Sequence, residues 1–239
     1  MSGAGYVGRT VGTVAASYSI VVPPGFVRVP GEMTAPDAAA FVAAQLGDPP
    51  APGTATAPDD WRLRFGSALG RALAADGHGR VMDSYLSGGP LPGTDIVCSI
   101  VVATVPVTRS EHADLDRLLL RRVATQGANP IVLAEDPAVV WDDSGGAFAP
   151  GSRNARLDGP RALTPLRRRT VLARIAGHDD RLISLVLTVG SATPDAPDEG
   201  DADAQARVVG ALTDVFDAML STFRWRDAGG RLVTDRPLA

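Results

Sequence analysis

Apolar positions along the chain follow two rhythms, one of strands and one of helices, separated by breaks rich in Pro, Gly and Asp. Residues 17–22, SYSIVV, read as a first strand that Pro23 and Pro24 stop, because proline has no N–H to give to a ladder. Phe26 and Val27 resume an extended course as far as Pro30. From Thr34 the rhythm turns helical: Thr34 can cap, Pro36 suits a first turn, and AAAFVAAQL runs to Gly47. A Pro-rich linker over residues 47–59 has nothing to bury. Trp61, Phe65, Leu69 and Leu73 then recur every four residues, on one face of a second helix that Gly77 ends.

Residues 81–86 predict a further strand, and 95–105, DIVCSIVVATV, predict a central one, continuous and rich in β-branched residues. Thr108 and Glu111 have capping-box spacing ahead of a helix that carries Leu115, Leu118, Leu119 and Val123. Short strands are expected at 131–134 and 139–141, and the Gly-, Pro- and Arg-rich stretch from Asp142 to Pro165 is expected to be a long mobile loop. Residues 166–176 and 182–189 bracket GHDD, which predicts a hairpin with a four- or five-residue connection. A last helix, from about Asp203, carries Val208, Val209, Leu212, Val215, Phe216, Met219, Leu220 and Phe223, a stripe wide enough to dock on a sheet. Strands arrive in clusters rather than in strict alternation with helices. That order predicts an α+β fold, a mainly antiparallel β-sheet with helices packed on its faces, forming one domain over 17–225 between a flexible leader at 1–16 and a tail at 226–239.

The two ends of the chain carry a resemblance. SYSIVVPPGFVRVP at the start, and the late strand, polar loop and helix of LISLVLTVGSATPDAPDEGDADAQARVVGALTDVFDAMLSTFRW at the end, resemble the PsbP-like group. That group includes extrinsic photosystem subunits, a Ran-binding transport factor, DcrB-type bacterial proteins and Eag-type chaperones of type VI secretion. The likeness covers both ends and fades from Gly47 to Pro165. It implies a PsbP-like sandwich and a binding role, and it brings no catalytic residues.

Composition narrows the chemistry. With 239 residues, 45% hydrophobic and 21% charged, the chain can bury a sizeable core as a globular protein. The net charge of −4 gives no overall attraction to nucleic acid or anionic lipid. All 23 basic residues are Arg, which removes Schiff-base, Walker-type and kinase lysines and fits a GC-rich, actinobacterial genome. No segment approaches the length of an apolar membrane span, and a single cysteine suits a reducing cytosol, so a cytoplasmic protein is expected. Cys98 lies in a strand-like run and reads as a small buried hydrophobe rather than a catalytic thiol.

GAGYVG at residues 3–8 has dinucleotide-motif spacing, yet only Met1 and Ser2 precede it, so no strand can deliver the turn, and the acidic residue expected about 20 positions on is missing. His78, His112 and His178 lack metal-motif spacing and read as solvated surface histidines, and no G-x-S-x-G turn occurs. The acidic run PDAPDEGDAD misses the EF-hand positions and reads instead as charge ahead of the last helix. No cofactor or metal is expected. Arg153, Arg156, Arg161, Arg167, Arg168 and Arg169 form the one local excess of positive charge. Of these, Arg153, Arg156, Arg161, Arg167 and Arg169 are the candidate partner-binding residues, with Arg168 expected on the opposite side of the strand. The same arginines serve equally well as protection against aggregation. The expected function is that of a non-enzymatic cytoplasmic adaptor with a protein partner, or a chaperone for a secreted protein. A small-molecule hydrolase with a site assembled from distant residues, and a structural component of a larger assembly, are the alternatives.

Overall fold

The computed structural model describes residues 14–33, 80–87, 94–108, 114–143, 164–191 and 199–233, with Asp37, Ala40, Phe41, Ala44, Gln45 and Leu91. Seven strands form one fully antiparallel sheet in the order β2(Phe26–Pro30), β3(Arg80–Ser87), β4(Ile96–Pro106), β8(His178–Ser191), β7(Thr164–Ile175), β6(Asp136–Asp143), β5(Asn129–Leu133). Two meanders, β2–β4 and β5–β8, are joined where β4 pairs with β8 along eleven register partners from Ile96↔Ser191 to Pro106↔Arg181. The runs DIVCSIVVATV and LISLVLTV supply the β-branched and aliphatic residues that the central strands of a sheet require. The fold is therefore α+β, an antiparallel sheet with two described helices packed on it.

Alternation along the strands sends residues to two different environments. One face carries Ile100, Val102, Val171, Ala173, Ile183, Leu185, Leu187 and Val189, all almost fully buried. Over it lies α2(Glu199–Ser221), with Leu212, Phe216, Met219 and Leu220 facing inward. Burying an aliphatic or aromatic side chain of this kind contributes about 1.5–3 kcal/mol. The same face is completed by a two-stranded ribbon, β1(Ser17–Ser19) with β9(Arg224–Arg226), in which Tyr18 pairs with Trp225. Phe223 stacks on the Tyr18 ring at 5.1 Å and meets Trp225 edge-on at 4.8 Å. On the opposite face α1(Leu115–Gln126) sets Leu115 and Leu119 against Val139, Leu172 and Leu182.

Several element boundaries differ from the sequence expectation. The helix α1 is capped by Asp114, whose carboxylate accepts the Arg117 N–H at 2.8 Å, so it starts after Thr108 and His112 rather than at a Thr108 capping box. The hairpin of β7 and β8 turns through Ala176 and Gly177 alone, with Ile175 opposite His178. Only glycine suits that corner: Gly177 has φ +77°, and a Cβ there would lie 2.9 Å from the Val14 Cα. Asp142, Asp143 and Thr164 belong to strands, which trims both ends of the expected 142–165 loop. The first strand is shorter than 17–22 and joins the ribbon, not the large sheet. Residues 226–233 fold back on β9, Arg226 bridging Leu232 and the Val233 N–H reaching the Trp225 carbonyl at 3.0 Å. The helix α2 begins at Glu199, ahead of Asp203. The GAGYVG stretch, the 47–59 linker, the helix of Trp61, Phe65, Leu69 and Leu73, and residues 144–163 lie outside the described residues.

Candidate functional site

The α1 face of the sheet changes character along its length. Across β4, β8 and β7 a register row of Ser99, Thr188 and Arg168 lies beside a row of Val101, Val186 and Thr170. Each row continues at its β3 end, with Leu86 opposite Ser99 and Ser84 opposite Val101, and on β6, where Asp143 stands opposite Arg168 and Trp141 opposite Thr170. Neighbouring residues within a row are about 5 Å apart, and successive rows on one face are separated by roughly 7 Å. Ser99, Val101, Val186 and Thr188 are half-buried, in contrast to the sealed positions on the α2 face. The result is a mixed surface on which half-buried hydroxyls and valines of β4 and β8 lie side by side.

Two polar atoms on this surface have no partner. Arg168 Nε is buried without a hydrogen bond, and so is the Oγ of Ser84, a residue only 1% exposed. Native chains leave few buried polar groups unpaired, and a guanidinium nitrogen is among the costlier to strand. Its strand neighbours behave differently. Arg167 donates to Asp142 Oδ1 at 3.1 Å, and Arg169 donates to Asp142 at 2.7 Å and to both carboxylate oxygens of Asp217 on α2 at 3.0 Å. The Asp142 hydrogen bond holds the Arg167 guanidinium above its ordinary range. Arg167 and Arg169 thus share a side, as the alternation requires, and their charge is answered within the chain by a bridge from helix to sheet. Arg153, Arg156 and Arg161 lie outside the described residues.

A second polar cluster ties the ribbon to the sheet. Asp83, its side chain 5% exposed, accepts Tyr18 OH at 2.5 Å and the Arg28 guanidinium at 2.8 and 3.1 Å, while the Tyr18 and Tyr85 hydroxyls lie 3.1 Å apart. Burial and the Asp83 hydrogen bond push the Tyr18 phenol far up, and burial raises Tyr85 too, so both stay neutral. From the other strand of the ribbon, opposite Tyr18, Trp225 Nε1 donates to Asp136 at 2.9 Å. Every bond that fixes Asp83 is made inside the protein, which marks the cluster as a clamp. Sequence reading passed over it, although an Asp-Ser pair inside the apolar run of β3 is the signal that exposes it.

The remaining candidates resolve simply. Cys98 is buried and desolvation pushes its thiol up to about 12, as suits a core residue. His178 is not a solvated hairpin tip: its side chain is 23% exposed and Nε2 lies 2.8 Å from the Ala15 carbonyl, clipping residues 14–16 to the β7–β8 turn. His78 and His112 lie outside the described residues. Among the described residues no group of His, Cys, Asp or Glu is placed to hold a metal ion, and no helix is long and apolar enough to cross a membrane. Compared with protein-family models, curated proteins and solved structures, the chain matches none of them.

Proposed function

We propose that the protein is a non-enzymatic binding module, an adaptor or a chaperone for another protein, acting in the cytoplasm, and that it docks its partner on the hydroxyl-and-valine face of β4, β8 and β7. The observation that carries this reading is the half-buried patch of Ser99, Val101, Val186 and Thr188, beside which the Arg168 Nε is buried without a hydrogen bond. Folding gains nothing from burying an unpaired guanidinium nitrogen, whereas a partner that brings an acceptor to it converts that cost into affinity and selectivity. Half-buried valines beside hydroxyls give the mixture of apolar contact and hydrogen bonding found in protein interfaces. The PsbP-like resemblance of the chain ends agrees in kind, as does the buried single cysteine, which needs no oxidising compartment.

The test is affinity capture from the source cells with the full chain as bait, run beside Val186→Gln and Ser99→Arg baits of unchanged melting temperature. The reading expects a specific partner held by the wild type and lost from both variants. Equal capture by the variants would move the docking surface elsewhere, and turnover of an ester or phosphate panel by the purified protein would replace the adaptor with a hydrolase.

A further inference from the structure

We infer that the β2–β3 half of the face opposite α2 is a docking surface for the chain's own apolar stripe, Trp61, Phe65, Leu69 and Leu73. Val29 and Ser84 are 1% exposed and Leu86 2%, and Val81 and Val97 are buried as well. Register places them on one side of the sheet: Val29 is opposite Ser84, Val81 opposite Ala103, and Ser84 and Leu86 opposite Val101 and Ser99, next to Val97 along β4. A side chain on the flat of a sheet, above all on an edge strand such as β2, is sealed to this degree only beneath a second layer. Neither described helix supplies it. The α2 helix packs on the opposite face, and α1 seals Val139, Leu172 and Leu182 on β6, β7 and β8. Val29, Val81, Leu86 and Val97 belong to neither of those two cores.

Chain connectivity and chemistry select the occupant. At their joining ends β2 and β3 stay together, the Gly31 N–H reaching the Met82 carbonyl at 2.9 Å and Arg80 bridging Glu32 at 2.8 Å, so a short turn could connect them. The chain instead runs from residue 34 to residue 79 before it returns. Connections longer than about 12–15 residues are uncommon in compact domains unless they carry structure of their own. This one carries the stripe, which on a helix measures about 18 Å from Trp61 to Leu73, enough to cross β2, β3 and β4 at about 5 Å per strand. From Leu73 the chain can reach about 25 Å to Arg80, and Leu86 lies roughly 20 Å further along β3. An apolar cover also suits Ser84, whose buried Oγ has no hydrogen bond. Other stretches fit less well: 144–163 is rich in Gly, Pro and Arg, 109–113 and 192–198 are too short, and the leader joins at Ala15 in the α2-side core. The half-buried patch of Ser99, Val101, Val186 and Thr188 then lies between this cover and α1.

The experiment is hydrogen exchange of the full chain, read by mass spectrometry on peptides that cover 61–73. Their amides are expected to exchange at least about 100-fold more slowly than in the same peptide free in solution. Leu86→Gln sets a polar amide beneath the stripe and should speed that exchange at least about 10-fold while leaving β8 protected. Should Leu86→Gln fail to fold, Phe65→Gln and Leu69→Gln, which leave the sheet unaltered, are expected to speed it likewise and to admit a dye that binds exposed apolar surface.

Exchange of 61–73 at the free-peptide rate overturns the inference. So does protection that none of these variants reduces, because the stripe would then be packed elsewhere. Protection of 34–46 without protection of 61–73 assigns the cover to the helix of Asp37, Ala40, Phe41, Ala44 and Gln45 and overturns it as well. None of these results touches the partner capture described above, which stands or falls on the Val186→Gln and Ser99→Arg baits.

Discussion

Replacing Arg28 with methionine tests how far the buried carboxylate of Asp83 governs the attachment of the β1–β9 ribbon. The pair is asymmetric: the Arg28 side chain is 64% exposed and that of Asp83 5% exposed. Arg28→Met removes the bonds at 2.8 and 3.1 Å and leaves a buried anion held by Tyr18 alone. Stripping a fully buried pair of one partner costs about 3–5 kcal/mol, and an exposed pair contributes about 0–1 kcal/mol. The remaining Tyr18 bond and the exposure of Arg28 place this case between those limits, at about 2–3 kcal/mol. Asp83→Asn works in the other direction: the amide can still accept from Tyr18, and the guanidinium turns to water, so the loss is about 1–2 kcal/mol. The double variant should cost less than the sum, since no buried charge is left behind. Urea titrations followed by tryptophan fluorescence measure all three. At about 2–4 °C per kcal/mol for a domain of this size, Arg28→Met lowers the melting temperature by roughly 4–12 °C. A loss within about 0.5 kcal/mol, or a larger loss for Asp83→Asn than for Arg28→Met, refutes the reasoning, because the pair would then behave as a surface salt bridge.

Three other outcomes follow from the same coordinates. Gly177→Ala meets both a positive φ and the Val14 Cα at 2.9 Å, so it should cost about 1–3 kcal/mol and speed proteolysis near residues 14–16. Ala134 and Glu135 form the β5–β6 turn at φ 49° and 73°, a conformation that favours glycine; Glu135→Gly, at the exposed position, should raise stability by about 0.5–1 kcal/mol in thermal melts. Folding raises the acid pKa of Tyr18, Tyr85 and Cys98, chiefly by burial, so their contribution is complete below the unfolded values and is lost as pH rises above about 9–10. In a Tyr6→Phe variant, whose remaining tyrosines are Tyr18 and Tyr85, tyrosinate absorbance should therefore appear together with alkaline unfolding, and a gradual rise in the still-folded protein would contradict their burial.

The antiparallel sheet was legible because its strands are unusually consistent: β4 and β8 have long apolar runs, and β7 meets β8 through a tight turn rather than a helix. The stripe from Val208 to Phe223 likewise announced a docked closing helix, and Phe216 and Phe223 are indeed fully buried. Boundaries were less legible where a local signal had a competitor. Thr108 and Asp114 are both cap-forming residues within seven positions, and only the packing of Leu115 and Leu119 on Val139 and Leu172 selects Asp114. Long-range polar pairs were not legible at all. Tyr18 and Asp83 are 65 positions apart, and Trp225 and Asp136 are 89 apart. Nothing in a local pattern links residues that a ribbon carries together across a sheet.

The arginine cluster shows how the same gap affects function. In the sequence, Arg167, Arg168 and Arg169 are one patch of charge, but strand alternation separates them into two roles. The outer two bind Asp142 and Asp217, and so lock α2 to one face. The central one is carried to the other face, in a row with Ser99 and Thr188 and opposite Asp143 of β6, and its Nε is buried without a hydrogen bond. A surface arginine placed there only for solubility would keep its Nε in water. One placed to fasten α1 would be paired, as Arg174 is with Asp116 at 3.4 Å. The Arg168 Nε does neither: it is buried without a hydrogen bond, an arrangement that lowers stability.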